Sequence, residues 1–97
     1  MILNPNGCDL SRLRYKARQA LWYLEHVFEI QGEHLTIFHT FDAIHEKGSL
    51  HYKNRAFDCG PPLRDRAGTL ARVKEAMGPD YDLIDEGDHW HVEYDPK

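Results

Sequence analysis

From Asp9 to Ile30 the apolar residues Leu10, Leu13, Ala17, Ala20, Leu21, Leu24, Val27 and Phe28 recur at three- and four-residue spacing with charged positions between them. That spacing predicts an amphipathic helix with one buried stripe. Asp9 or Ser11 is suited to cap its start, and Gln31-Gly32 to break its end. The stretch His34 to Phe41, rich in β-branched and aromatic residues, predicts a strand, and Asp42 to Ser49 reads as a polar loop. Alternation over Arg55-Ala56-Phe57-Asp58-Cys59 predicts a second short strand carrying Asp58.

Gly60-Pro61-Pro62 then stops that strand and opens a helix from about Leu63 to Met77, because proline is tolerated in a first helical turn. Leu63, Ala67, Leu70, Val73 and Met77 form its apolar side, and Gly78-Pro79 ends it. The remainder reads as a hairpin: Tyr81 to Asp85, turn chemistry at Glu86-Gly87-Asp88, and a strand from His89 to Tyr94. In that last strand Trp90, Val92 and Tyr94 face one way, while His89, His91 and Glu93 face the other. The pattern predicts an α+β fold, a small antiparallel sheet with two main helices packed on one side and a polar cleft on the other. One domain spans residues 1–97, with no repeat, linker or low-complexity segment.

Charge and composition narrow the partners. The net charge is −4 and no run of Lys or Arg occurs, so nothing offers the phosphate neutralisation that nucleic-acid binding leans on. No apolar run approaches the roughly 18–20 residues of a membrane span, and no membrane insertion is expected. Met1 to Asn6 lacks the basic segment and apolar stretch of a secretory signal. Cytoplasmic synthesis is therefore expected, with delivery by another factor if the substrate lies outside the membrane. A monomer is expected, and Cys8 and Cys59, far apart and without paired-thiolate spacing, are expected as free thiols. A chain of this size buries only about 60–65% of its unfolded surface, so a metal held by the folded form alone would add stability.

Two stretches carry the candidate chemistry: Ser49 to Asp58, with His51 and Asp58, and Glu86 to His91, with one carboxylate base and two imidazoles. Two imidazoles and a carboxylate leave a tetrahedral Zn²⁺ one open position, the mark of a hydrolytic rather than a structural zinc. The plainer alternative places His51 in a solvated loop and Asp58 in a turn. His-x-His on a strand sets both imidazoles on one face about 7 Å apart, so one can bind a metal and the other reach its water; exposed histidines also alternate on strands without that role. Glu86 is the candidate general base, or else a solvated turn acid beside Asp85 and Asp88. His26 reads as structural or solvent-facing, Trp22, Tyr23 and Phe28 as core, and Tyr52 and Trp90 as packing or substrate contacts. Glu93 reads as a partner holding an imidazole tautomer or as a solvated acid.

The string SLHYKNRAFD resembles the S-x-H-x-x-G-x-A-x-D signature of the D-Ala-D-Ala metallopeptidases, a group sharing its fold with lysostaphin-like cell-wall enzymes and the amino-terminal domain of hedgehog proteins. The ending EGDHWHVEYDPK is similar to the H-x-H element of that group, particularly in small phage-encoded members. The resemblance covers roughly Thr36 to the carboxy terminus. It implies a hedgehog/DD-peptidase-like fold whose cleft holds Zn²⁺ on His51, Asp58 and His91. It implies Glu86 as general base with His89 orienting the water or stabilising charge, and Asp88 as the second choice of base. The activity implied is hydrolysis of amide bonds in peptidoglycan stem peptides, by a D,D-carboxypeptidase or an endolysin-type endopeptidase. A catalytically silent zinc-binding module of the same fold is the alternative. Asn54 stands where the signature has glycine, a mild change because asparagine tolerates a left-handed backbone. The stretch Phe38 to Lys47 contains neither the arginine nor the glutamine that many members use to polarise the scissile carbonyl, leaving Lys47 or His45 as substitutes.

Overall fold

The computed structural model describes residues 1–4, 8, 10, 13–40 and 55–96. Their elements run β1 (Ile2–Leu3), α1 (Tyr15–Ile30), β2 (Thr36–His39), β3 (Ala56–Cys59), α2 (Arg66–Met77), β4 (Tyr81–Asp85) and β5 (Trp90–Tyr94). One five-stranded sheet has the order β1-β2-β3-β5-β4. The loop Asp42–Ser49, with His45 and Lys47, and the residues His51, Tyr52, Asp9 and Ser11 lie outside the described residues.

The α+β class is as the pattern predicts, but the sheet is mixed rather than antiparallel. β1 pairs parallel to β2, and the other neighbours pair antiparallel. Two residues are too short to display a period of two, so β1 left no pattern in the sequence. Its parallel direction follows from the α1 crossover, which returns the chain to the sheet in the same sense.

Both helices begin later than their apolar spacing suggests. α1 starts after Arg14, which is extended and makes no side-chain cap. Leu10 and Leu13 continue the stripe as a separate turn, whose carbonyls accept from Arg18 Nη2 at 2.8 and 3.1 Å. At its far end Gly32, with φ of 76°, makes the left-handed step that ends α1 where predicted. α2 starts at Arg66, not Leu63, and Leu63 is 93% exposed. The backbone N–H groups of Leu63 and Arg64 donate instead to the Glu33 carboxylate at 2.6 and 3.2 Å, holding this segment outside the helix. The prolines thus precede α2 rather than open it, and only Thr69 and Val73 of the helix are buried.

A single core joins Leu13, Ala17, Ala20, Leu21, Leu24 and Phe28 of the N-terminal half to Ile37, Phe57, Cys59, Leu83, Trp90 and Val92 of the sheet, with Val73 from α2. Both helices therefore cover the same face of the sheet. Phe28 meets Trp90 edge-on, with ring centroids 6.4 Å apart and planes at 83°. Trp22 and Tyr23, expected in the core, are 54% and 37% exposed, because they fall on the outward side of α1. Cys8 and Cys59 form no disulfide, and Cys8 Sγ donates to the Ile37 carbonyl at 3.2 Å. Among the described residues no helix is long and apolar enough to cross a membrane.

Removing the Phe28 ring leaves a void against Trp90 that the packed sheet cannot fill. Phe28→Ala should destabilise the fold by about 3–5 kcal/mol, read as a lower urea midpoint at unchanged slope; a midpoint within error of wild type would contradict this packing.

Candidate functional site

Register fixes which side chains share the face opposite the helices. Phe57 opposes Val92, and Cys59 opposes Trp90, all four buried in the core. The residues between them, Asp58 and His91, oppose each other and stand on the other face. Glu93 lies two residues beyond His91 on the same face, opposite Ala56 on one side and Asp82 on the other. The expected division of β5 thus holds for His91 and Glu93, whereas His89 precedes the strand.

His91 is gripped from both sides. Its Nδ1 lies 2.7 Å from Oδ1 of Asp58, and its Nε2 lies 2.5 Å from Oε1 of Glu93. The three side chains are 14–18% exposed. Burial disfavours charge on the ring, but hydrogen bonds to Asp58 and Glu93, with their negative charges, outweigh it and raise the His91 pKa from 6.5 to about 8.

The β4–β5 turn holds the other candidates. The backbone N–H of Glu86 donates to His89 O at 2.9 Å, and Gly87 supplies the positive φ, 96°, that the turn requires. Arg66 at the start of α2 clamps the base of this turn: its Nε lies 2.7 Å from Oδ2 of Asp85, and its Nη2 donates to both Asp85 Oδ1 and the Gly87 carbonyl. The Arg66 guanidinium, with the Gly87 N–H, holds the Asp85 carboxyl far below the usual carboxylate range. Above the clamp, Nδ1 of His89 lies 2.6 Å from Oδ1 of Asp88, and its Nε2 lies 3.6 Å from Oε2 of Glu86.

A cleft of about 330 Å³ opens on this face, lined by Asn4, Phe38, His39, Asp58, Asp88 and His89. The structure therefore gathers Asp58, Asp88 and His89 around one space, with His91 beside Asp58. Glu86 is not among the lining residues and reaches the cleft through His89. His51, the remaining sequence candidate, lies outside the described residues. Sequence reading missed Asn4 and His39. In a regular strand His39 would share the core face of Ile37 and oppose Phe57; a register shift between Ile37 and His39, which leaves no compositional trace, sets it opposite Asp58 instead.

Among the described residues Asp82, Glu93 and Asp95 bring ligand oxygens within 4.8 Å of one another, a group that could hold a metal ion. No family model, curated protein or solved structure matches the chain.

Because its folded pKa is raised, charged His91 stabilises the metal-free protein fully below pH 6.5, and this stabilisation is lost as the pH rises through about 8. Its size is on the order of 2 kcal/mol. Thermal unfolding of chelator-treated protein should show Tm falling across that window, with a flatter profile for Glu93→Gln; identical profiles for the two proteins would contradict the clasp.

Proposed function

We propose that the chain is a zinc-dependent peptidase that hydrolyses amide bonds in peptidoglycan stem peptides. The observation that carries this reading is the line Asp58–His91–Glu93 beside the cleft. A carboxylate oxygen and an imidazole nitrogen are presented together, a donor pair that suits zinc. The other ring nitrogen is held by a second carboxylate, the arrangement that fixes the tautomer and orientation of a ligating histidine. Asp58 and His91 would hold the ion together with His51, which completes two imidazoles and one carboxylate.

Bound there, zinc would supply Lewis acidity toward the scissile carbonyl and toward the attacking water. Glu93 keeps the His91 Nε2 proton in place. The base sits on the β4–β5 turn: it takes a proton from the attacking water and returns it to the leaving amine. Of the two carboxylates on that turn, Asp88 lines the cleft and contacts His89 Nδ1. We therefore assign the base to Asp88, with His89 orienting it and Glu86 steadying the far side of the imidazole. The cleft's open side suits a peptide, as either a D,D-carboxypeptidase or an endolysin-type endopeptidase would require.

Zinc-loaded protein should release peptide fragments from purified peptidoglycan, identified by mass spectrometry, and chelation should abolish release. Asp88→Asn should lower the rate by about 10²–10⁴-fold, and Glu86→Gln by less. Stoichiometric zinc without turnover would replace the peptidase with a silent zinc-binding module, and turnover indifferent to chelator would end the metal reading altogether.

A further inference from the structure

The β4–β5 hairpin turns on Glu86 to His89, closed by the Glu86 N–H donating to His89 O at 2.9 Å. The central peptide plane of this turn joins the carbonyl of Gly87 to the nitrogen of Asp88. A peptide unit is rigid, so whatever holds that carbonyl also sets the direction in which Asp88 leaves the backbone. Glycine by itself lets such a plane rotate, because it tolerates both signs of φ, and Gly87 stands at φ 96°. Arg66 removes that freedom. Its Nη2 donates to the Gly87 carbonyl and to Asp85 Oδ1, and its Nε donates to Asp85 Oδ2 at 2.7 Å. Asp85 Oδ1 in turn accepts the Gly87 N–H at 3.0 Å. Both polar groups of Gly87 are thus held by the same arginine–carboxylate pair.

We infer that Arg66 is a positioning residue of the proposed peptidase: through the Gly87 carbonyl and the Asp85 carboxylate it fixes the turn from which Asp88 meets the cleft, and so governs kcat. The inference rests on the zinc-peptidase reading and adds to it the group that keeps the base in place. The Asp88 side chain is 90% exposed, so packing does not orient it. Its partner His89, whose Nδ1 lies 2.6 Å from Asp88 Oδ1, belongs to the same turn and moves with it. The ladder between β4 and β5 ends at Asp85 and Trp90; beyond that pair, among the described residues, the hydrogen bond tying the turn to another element comes from Arg66. A guanidinium matched to a carboxylate by two bonds fixes direction as well as distance, which the point charge of a lysine does not. Arg66 is itself placed by a strained step. Asp65 before it adopts φ 46° and ψ 51°, a left-handed conformation that costs a residue bearing a Cβ. Arg72 Nη1 donates to Asp65 Oδ2 at 3.1 Å, and the Thr69 N–H donates to the Asp65 carbonyl at 2.8 Å. A Cβ at Gly68 would stand 2.5 Å from the same carboxylate, so the first turn of α2 keeps room for it. Strain held in place by its surroundings in this way is characteristic of segments on which a site depends.

The test compares wild type, Arg66→Gln, Arg66→Lys, Asp88→Asn and the double variant Arg66→Gln/Asp88→Asn for kcat and KM, counted per folded, zinc-loaded molecule. The substrate is a synthetic stem pentapeptide or a cross-linked muropeptide, whichever the wild type cleaves. Amide hydrogen exchange of the metal-free proteins gives a readout without turnover. The expected result is kcat about 100-fold lower in Arg66→Gln, the size of loss that a small misplacement of a reacting group produces. KM and zinc stoichiometry should change little, and lysine should recover part of the rate. In the Asp88→Asn background the loss of Arg66 should cost no more than about twofold, the usual scatter of such cycles, because the base it positions is already gone. Arg66→Gln should also lose exchange protection at Glu86 and Gly87 while β5 keeps its own. Unchanged kcat in Arg66→Gln, unchanged protection at Gly87, or a loss of rate as large with Asp88→Asn as without it would overturn the inference while leaving the peptidase standing. A zinc-loaded wild type that cleaves neither peptide would remove the underlying reading and this inference with it.

Discussion

Successive residues of a strand point to opposite faces, so burying Trp90 and Val92 beneath α1 obliges His91 and Glu93 to stand on the other side of the sheet. The same rule on β3 buries Phe57 and Cys59 and leaves Asp58 facing His91. The clasp on His91 follows from fully buried aromatic and aliphatic residues whose displacement would cost several kcal/mol each, at about 2–5 kcal/mol for a large core side chain cut to alanine; the cleft draws Asp88 and His89 from the β4–β5 turn as well. A slip of one residue between β3 and β5 would put imidazole and carboxylates into the core and Trp90 into water, so the register is strongly enforced.

This division explains which parts were legible in the sequence. β5 alternates cleanly, and the opposition of Trp90 and Val92 to His91 and Glu93 could be read directly from it. The α1 stripe was equally clear, because six of its eight apolar positions are buried and Leu10 and Val27 pack against them. The helix starts were not clear. Apolar spacing upstream of Tyr15 belongs to a turn held by Arg18, and the segment before Arg66 is held by Glu33, a residue thirty positions earlier. Such long-range hydrogen bonds have no local pattern. The register shift in β2 is hidden for the same reason: TIFH alternates plausibly as a regular strand, and only its partner decides where the pairing shifts.

The clasp also ties stability to chemistry. Without metal, a proton on His91 satisfies two carboxylates on a face that water reaches only in part, and the ring is held in the orientation that a metal on its Nδ1 side would require. A metal, if held there as proposed, would compete with the proton for that nitrogen, since a ligating imidazole must be neutral. Arg66 acts at a different place: by clamping Asp85 and Gly87 it ties the turn carrying Glu86, Asp88 and His89 to the rigid start of α2. The pairing of Asp58 with His91 is thus set by the sheet, and the acid–imidazole pair Asp88–His89 by a helix-anchored turn.

In the proposed site Asp58 and His91 would be ligands of one zinc ion. Zinc-edge X-ray absorption of protein reconstituted with one equivalent of zinc tests it most directly. The expected spectrum shows a shell of nitrogen and oxygen only, at about 2.0–2.2 Å, with imidazole scattering, weakened when Asp58 is replaced by alanine. A sulfur shell near about 2.3 Å, a spectrum of hydrated zinc, or one unchanged by loss of Asp58 would contradict it.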